Sequence, residues 1–178
     1  MEIEETFIPG LKLIHLKEYQ DIRGSFIKVF NEEFFAENGL ETNFKESYYS
    51  IFAKNVLRGM HFQIPPFEHT KLVYLNQGKI LDVVLDIRKS SPTYGQHYSI
   101  DLKPENPILV YIPVGCAHGF LSLEDQTLVT YMQATCYNNK CDKGIKYNSF
   151  GMDWGINVPI ISERDLSFPD FPDTNFNF

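Results

Sequence analysis

Three side chains suited to acid–base and charge chemistry lie close together in one strand-like stretch, Val56 to Lys71. Arg58 and His61 are three residues apart, Gly59 removes bulk between them, and Lys71 begins a second strand-like run. Arginine binds phosphate through two parallel hydrogen bonds, histidine removes protons near neutral pH, and lysine stabilises a developing oxyanion. Two adjacent strands would aim all three at one ligand. The alternative is three ordinary polar residues on a solvated strand face.

A histidine and two tyrosines downstream are further candidates. His118 follows a Pro113–Gly115 turn, at the predicted start of a strand. Tyr131 and Tyr137 are six residues apart, so they face the same side of one strand if that strand is unbroken. Same-side tyrosines would flank one ligand. Taken singly, each is also typical of the core or surface of an aromatic-rich β-protein.

The elements that must position these residues are almost all predicted strands. Aromatic residues make up 15% of the chain, which favours sheets, and turn signals recur about every 8 to 12 residues, as in an antiparallel sandwich or barrel. We therefore predict an all-β antiparallel fold with few short helices. One helix is expected over Asn31–Asn38, capped by Asn31 and closed by Gly39. The predicted strands are Phe7–Leu16 after a turn at Pro9–Gly10, Phe26–Phe30 after a turn at Gly24, Phe44–Phe52, Val56–Gln63, Leu72–Asn76, Lys79–Arg88, Tyr94–Leu102, Ile108–Ile112, Gly119–Leu123 and Leu128–Tyr137.

Length and composition limit the possible classes of protein. The 178 residues suit one domain over 1–178, with an irregular aromatic-rich tail over about 159–178 that packs across the barrel or a partner subunit. The net charge of -7, with scattered Lys and Arg, argues against nucleic-acid binding. No apolar run approaches the roughly 20 residues of a membrane span, and the acidic N-terminus is unlike a secretory signal. The sequence therefore predicts a cytoplasmic protein. Its three cysteines form no CxxC pair, so free thiols are expected.

Seven sequence blocks in register reveal a family resemblance. They run in order from about residue 5 to 170: Asp21–Phe26, Val56–Gln63, Lys71–Val73, Asp82–Arg88, Ser91–Gly95, Ile112–Phe120 and Ile161–Asp165. Together they resemble the dTDP-4-dehydrorhamnose 3,5-epimerase family of sugar-nucleotide enzymes. The resemblance implies a cupin-like jelly-roll barrel, a homodimer that exchanges edge strands, a nucleoside-diphospho-sugar substrate, and epimerisation beside a 4-keto group without a metal or other cofactor.

The resemblance also assigns catalytic roles. A ketone at C4 acidifies the hydrogens on C3 and C5, so a base on one face and an acid on the other invert either carbon. By position, His61 is the base and Tyr131 the opposing acid. Asp165 orients the imidazole and stabilises its protonated form, as a third group does in other base systems. Lys71 stabilises the enolate oxygen at C4.

Substrate contacts follow from the same resemblance. Arg58 and Arg23 would bind the diphosphate, with Arg23 reaching in from the other subunit. His118 would contact the sugar, and Tyr137 would stack on the nucleobase. Further ligand-contact positions are Phe26, Ser47, Tyr48, Gln63, Asp142 and Arg164.

Two departures from the family pattern concern the nucleobase. Lys28 stands where the family usually has Glu, and Glu46-Ser47-Tyr48 where it usually reads Gln-x-Asn. A carboxylate at Glu46 suits the amino group of cytosine and a cation at Lys28 suits its acceptors, so the nucleotide is hypothesised to be CDP rather than dTDP. The alternative is a Lys28–Glu46 ion pair with no reading role.

Rival functions make different demands on the sequence. A metal-dependent cupin enzyme needs clustered ligands such as His-x-His, and here the second histidine position is Gln63. A non-catalytic sugar-nucleotide binder has no use for the set His61, Tyr131 and Asp165. Within the family, C3-only epimerisation or 3,4-ketoisomerisation stays open, since the outcome depends on how the sugar ring sits. A 6-deoxyhexose for a surface polysaccharide is the product the family suggests.

Overall fold

The residues that the structure describes fold into strands with two short helices. The computed structural model describes residues 1–171, 174 and 178. The helices are α1 (Glu32–Glu37) and α2 (Glu163–Leu166). The strands are β1 (Glu2–Glu5), β2 (Lys12–His15), β3 (Glu18–Asp21), β4 (Gly24–Ile27), β5 (Glu46–Phe52), β6 (Leu57–Gln63), β7 (Lys71–Gln77), β8 (Ile80–Asp86), β9 (His97–Leu102), β10 (Ile108–Ile112), β11 (Cys116–Ser122), β12 (Thr127–Gln133) and β13 (Asp142–Gly144).

Two antiparallel sheets face each other across an apolar core. One sheet has the order β1-β2-β10-β7-β12-β5 and the other β13-β6-β11-β8-β9. Leu13, Val73 and Val129 of the first sheet pack in one cluster with Val84 and Phe120 of the second. The inner faces therefore form the core of a jelly-roll sandwich, which confirms the predicted all-β class.

The outer faces carry their own covers. Helix α1 lies on the six-stranded sheet, where Phe35 packs beside Ile14 and Leu72. The five-stranded sheet is covered by the segment that carries Trp154 and Phe171. The described part of the aromatic tail thus packs on the sandwich itself, while residues 172, 173 and 175–177 of that prediction lie outside the described residues.

Most predicted elements are confirmed with small shifts at their ends. Helix α1 begins after Asn31, whose side chain accepts a hydrogen bond from the Phe34 amide at 2.9 Å. The predicted Pro9–Gly10 turn is present, with φ +83° at Gly10, and the strand predicted over Phe7–Leu16 is found only after this turn, as β2. Strand β11 begins at Cys116, so His118 lies inside the strand rather than at its start.

The predicted strand Leu128–Tyr137 was too long. Gln133 pairs with Glu46 on one side and with Lys71 on the other, and these are the end residues of β5 and β7. Both ladders of β12 end at these residues, and the chain then crosses to β13 in the other sheet. Tyr131 and Tyr137 therefore do not share one strand, and the same-side prediction for the pair was wrong.

The hairpin of β3 and β4 stands apart from both sheets. Its two strands pair only with each other in the described part of the chain. Tyr19, Ile22 and Phe26 on this hairpin are exposed. The alternation predicted to run to Phe30 ends at Ile27, where β4 ends.

A close backbone approach joins β6 to β11 beside the candidate site. A Cβ atom on Gly59, which has φ +134°, would lie 2.4 Å from the Cα of Gly119. The register of the two strands shifts between His118 and Phe120, next to this contact. Only glycine fits at Gly59, and the contact fixes the strand that carries Arg58 and His61.

Gly59→Ala is expected to lower the free energy of unfolding by about 3 kcal/mol, because the new methyl group meets backbone that does not move aside. Gly151→Ala is the matched control, since Gly151 also has a positive φ, +82°, but open space around its Cβ position. The control should cost only about 1 kcal/mol. Denaturant unfolding of the two variants measures the difference, and equal losses would contradict the steric explanation.

Candidate active site

A histidine and a carboxylate form a buried pair in β6 and α2. His61 Nε2 lies 2.9 Å from Asp165 Oδ1. The ring edge of His61 also packs against Phe168, at 5.5 Å between centroids. With Asp165 ionised, the proton of the neutral ring is on Nε2, and this N–H donates a hydrogen bond to the carboxylate. Nδ1 is then the nitrogen that can accept a proton.

Two further hydrogen bonds hold Asp165 in place. Ser162 caps α2, and its hydroxyl accepts a hydrogen bond from the Asp165 amide at 3.1 Å. The Gly59 amide donates to Asp165 Oδ2 at 3.0 Å. Both carboxylate oxygens are therefore used, and the side chain, only 4% exposed, has one orientation. The ring of His61 therefore meets a carboxylate of fixed position.

The pKa directions suit a base of this kind. Burial lowers the pKa of His61 below its ordinary value, and the hydrogen bond and charge of Asp165 only partly oppose this. Burial raises the pKa of Asp165, but the hydrogen bond from His61, its charge and the Gly59 amide outweigh burial, so the net shift is downward. Near neutral pH the pair is a neutral imidazole beside an ionised carboxylate.

Tyr131 faces this pair from the other sheet. It lies on the inner face of β12 and is 4% exposed. Its hydroxyl is buried and has no hydrogen-bond partner among the described residues. Burial raises the pKa of Tyr131 well above its usual range, although the Arg58 guanidinium, 5.8 Å from the ring centroid, opposes the shift. Tyr131 and His61 line one small cavity, so the structure brings the two predicted groups together.

Lys71 and His118 line the same cavity as His61 and Tyr131. Burial, together with the charge of the neighbouring Arg58, lowers the pKa of Lys71 to about 8. His118 Nε2 lies 2.7 Å from Asp82 Oδ2, and both side chains are buried. The polar groups of Lys71 and His118 therefore lie beside His61 and Tyr131, in the cavity where a ligand oxygen would be contacted.

Sequence reasoning missed the side chain of Asp82 as a member of the site. It is 1% exposed, and its second oxygen, Oδ1, has no partner in the described part of the chain. The available signal was the single acid, Asp82, inside the apolar run Ile80–Leu85, because a buried charge is rarely found unpaired. His69, held by Thr135 at 3.0 Å, was missed too; burial lowers its pKa to about 3, so it stays neutral.

The pKa directions predict a bell-shaped pH profile of kcat/KM for proton exchange. His61 must be neutral, and its pKa lies below the ordinary 6.5, so the acid limb should lie below that value. Lys71 must be protonated, so the rate should fall as pH rises through about 8. Lys71→Arg should remove the alkaline limb at a lower overall rate, since arginine stays charged. A wild-type rate that stays flat well above pH 8 would contradict the role of Lys71.

A wider cleft of about 240 Å³ adjoins the cavity on the side of β13. Arg58, His61 and Lys71 line both spaces. Tyr137, on the loop after β12, stands exposed at this cleft. Asp142 and Arg164 also line it and form an ion pair at 2.6 Å. The predicted nucleotide-side contacts thus lie together beside the cavity.

Gln63 holds the loop that carries Tyr137. Its Oε1 accepts from the Asn138 amide at 2.6 Å, and its Nε2 donates to the Cys136 carbonyl at 3.2 Å and to the Phe67 carbonyl at 2.9 Å. Gln63 also lines the cleft. Its amide group is therefore largely used to shape the cleft, in addition to any contact with a ligand.

Glu46 and Tyr48 extend this polar network along β5. Glu46 Oε1 accepts from the Tyr137 amide at 3.1 Å, and Oε2 accepts from Gln133 Nε2 at 3.2 Å. The Tyr48 hydroxyl lies 3.2 Å from Gln133 Oε1. Lys28 faces a different cavity, beside α1, so the proposed Lys28–Glu46 ion pair is not formed within one chain.

Four predicted contacts lie away from the cleft of their own chain. Ser47 is exposed on the outer face of β5, because alternation turns only Glu46 and Tyr48 inward. Arg23 pairs with Asp21 on the separate hairpin, where Phe26 also lies. Lys28 follows that hairpin. For Arg23 the resemblance already placed the contact in the other subunit, and that part stays a prediction.

In the part of the chain that the structure describes, no group of three or more His, Cys, Asp or Glu side chains is arranged to hold a metal ion. Across residues 1–171, 174 and 178, no helix has the length and apolar character needed to cross a membrane.

Comparison with known proteins agrees with the fold. The model of the dTDP-4-dehydrorhamnose 3,5-epimerase family matches residues 5–173. A protein of that name from Methanothermobacter thermautotrophicus is 40% identical over 169 residues, covering 92% of this chain and 91% of its own. The crystal structure of one from Sulfolobus tokodaii is 37% identical and covers 100% of both chains, with a TM-score of 0.92. A Legionella pneumophila epimerase solved with dTDP-4-keto-L-rhamnose is 32% identical and covers 98% of this chain and 94% of its own, also with a TM-score of 0.92.

Proposed function

The chain belongs to the dTDP-4-dehydrorhamnose 3,5-epimerase family of carbohydrate epimerases, and we propose that it acts on a nucleoside-diphosphate 4-keto-6-deoxyhexose by proton abstraction and return. One observation carries the proposal. His61 and the unpartnered hydroxyl of Tyr131 belong to opposite sheets and line the same cavity. This is the arrangement required of a base and an acid that act on the two faces of one ring.

In the first step His61 removes a proton next to the ketone. The electron pair of the C–H bond forms a double bond to C4, and the π electrons of the carbonyl move to its oxygen, which gives the enolate. The proton is held on Nδ1. Asp165 stabilises the imidazolium that forms. Lys71 faces the enolate oxygen as a positive charge in a buried site, where such a charge is worth far more than in water.

In the second step Tyr131 returns a proton to the opposite face of the same carbon. Its raised pKa keeps the hydroxyl protonated until the enolate carbon is formed. The carbon is inverted, Tyr131 is left as a phenolate near the Arg58 guanidinium, and proton exchange with water restores both residues. The same two groups would serve C3 and C5 in turn.

Binding of the nucleotide is assigned to the wider cleft. Arg58 would contact the diphosphate, Tyr137 would stack on the base, and Arg23 would arrive from a second copy of the chain. The separate, apolar hairpin of β3 and β4 supports this exchange, since its exposed aromatic side chains suit burial in a homodimer. A single domain over 1–178, a cytoplasmic location, and activity without a metal or cofactor belong to the same proposal.

The network around Glu46 bears on the choice of nucleotide. Both Glu46 oxygens already accept hydrogen bonds from the chain itself, which favours a structural role over reading of cytosine. We therefore expect dTDP to compete for the site at least as well as CDP. Titration of each nucleotide against a bound fluorescent analogue measures this. Binding of CDP about tenfold tighter than dTDP would restore the cytosine hypothesis.

Deuterium incorporation tests the reaction itself. The enzyme is incubated in heavy water with a dTDP- or CDP-4-keto-6-deoxyhexose, and NMR locates the exchanged carbons and the product configuration. Exchange and inversion at both C3 and C5 are expected. Exchange at C3 alone would indicate a C3 epimerase, and movement of the ketone to C3 a ketoisomerase. No exchange on either nucleotide sugar would refute the proposed chemistry.

A further inference from the structure

We infer that Tyr48 is a positioning residue for the acid Tyr131. Tyr48 is itself fixed by a hydrogen-bonded relay that runs through Gln133 and Glu46 to the backbone amide of Tyr137. This inference rests on the proposed function, because Tyr131 acts as an acid only there. It gives Tyr48 a role different from the nucleotide contact expected from sequence. The observations are a ring stack at one end of the relay and a backbone hydrogen bond at the other.

The stack places the two tyrosine rings side by side. Tyr48 and Tyr131 are directly paired residues of β5 and β12 on the inner face of the sheet. Their ring centroids are 4.8 Å apart and the ring planes differ by 20°. A parallel ring at this distance limits rotation of the Tyr131 side chain, so its hydroxyl is aimed at one place in the cavity.

The relay has a defined direction at each step. The carboxylate of Glu46 only accepts, so the amide nitrogen of Gln133 must face Glu46 and its oxygen must face Tyr48. The Tyr48 hydroxyl therefore donates to Gln133. Burial raises the pKa of Tyr48 to about 12, which keeps that donor protonated at working pH. The other Glu46 oxygen accepts from the Tyr137 amide, which ties the stack to the loop at the nucleotide cleft.

The stack and the relay should affect the return of the proton by Tyr131 and not its removal by His61. His61 lies in the opposite sheet, is positioned by Asp165 of α2 and does not belong to the relay. Loss of the stack would therefore leave proton removal intact but misplace the acid. Small errors in the position of a reacting group are costly. The ratio of C3 exchange to inversion reports this misplacement, because a general loss of folded protein lowers both rates together.

Two substitutions separate the ring from the hydroxyl. Tyr48→Leu removes both, and we expect it to raise the exchange-to-inversion ratio about tenfold. Tyr48→Phe keeps the ring but ends the relay, and about a threefold rise is expected. Both rates are measured by NMR in heavy water, with the substrate at saturation so that changes in KM are separated from changes in kcat.

Matched controls make the result decisive. Tyr49→Phe changes a 65% exposed tyrosine on the outer face of the same strand and should leave the ratio unchanged. Gln133→Leu interrupts the relay without touching the stack and replaces Tyr48→Leu if that variant does not fold; it should resemble Tyr48→Phe. An unchanged ratio in the folded Tyr48 variants, or in Gln133→Leu, would overturn the inference while the wild-type reaction stands. Absence of exchange in the wild type would overturn the proposed function and this inference with it.

Discussion

His61→Ala should lower the rate of deuterium exchange at both C3 and C5 by about a thousandfold. Among the described residues that line the cavity, no other group has both the position and the unprotonated state that a base needs. Lys71 is charged below about pH 8, and His118 is already bonded to Asp82. NMR in heavy water measures the exchange directly, so the loss is seen even when inversion is slow for another reason. Binding of the nucleotide should change little, since the cleft keeps Arg58 and Tyr137.

Asp165→Asn tests the support of that base. The amide cannot stabilise an imidazolium by charge, and with its nitrogen toward His61 it favours the wrong tautomer. The exchange rate should fall about a hundredfold or more. His15→Ala is the control, since this histidine pairs with Glu4 on an outer strand. Exchange that persists in His61→Ala near the wild-type rate would require a different base.

Tyr131→Phe should separate the two halves of the reaction. Proton removal by His61 continues, so deuterium still enters C3, but the enolate then receives its proton back from the same face. Inversion is expected to fall about a hundredfold or more while exchange stays within a few fold of the wild-type rate. The comparison of the two rates in one NMR experiment makes the result independent of protein concentration.

Tyr111→Phe is the matched control for the loss of a buried tyrosine hydroxyl. Tyr111 is buried on the outer face of the same sheet and accepts a hydrogen bond from the Glu41 amide. It should lose some stability and keep the wild-type ratio of exchange to inversion. Equal loss of exchange and inversion in Tyr131→Phe would mean that Tyr131 supports binding or enolate formation instead of acting as the acid.

Local patterns in the sequence predicted the strands better than their ends. Ile108–Ile112 was predicted with its observed bounds, because a short apolar run between turns suits a strand buried on both faces. The cap of α1 at Asn31 was equally local. The end of β12 at Gln133 could not be predicted from local sequence. It is set by where β5 and β7 begin, and those residues are distant in sequence. Strand ends depend on partners that periodicity does not reveal.

The candidate site shows the same division. The spacing of Arg58 and His61 indicated chemistry by itself, because both lie on one strand. Asp165 was assigned only through family resemblance, since nothing local links it to His61. The internal roles of Glu46 and Gln63 were not predicted, because a polar side chain near a site looks the same in sequence whether it contacts a ligand or the protein backbone.

The pairing of His61 with Asp165 has a consequence for how the enzyme becomes active. The two residues are 104 positions apart, and contacts between distant segments close late in folding because the intervening chain must first be ordered. A sandwich that has formed its sheets but not docked α2 would have a mispositioned imidazole. Proton exchange from substrate is thus a sensitive report of completed folding, and we expect recovery of exchange to lag behind recovery of sheet content during refolding.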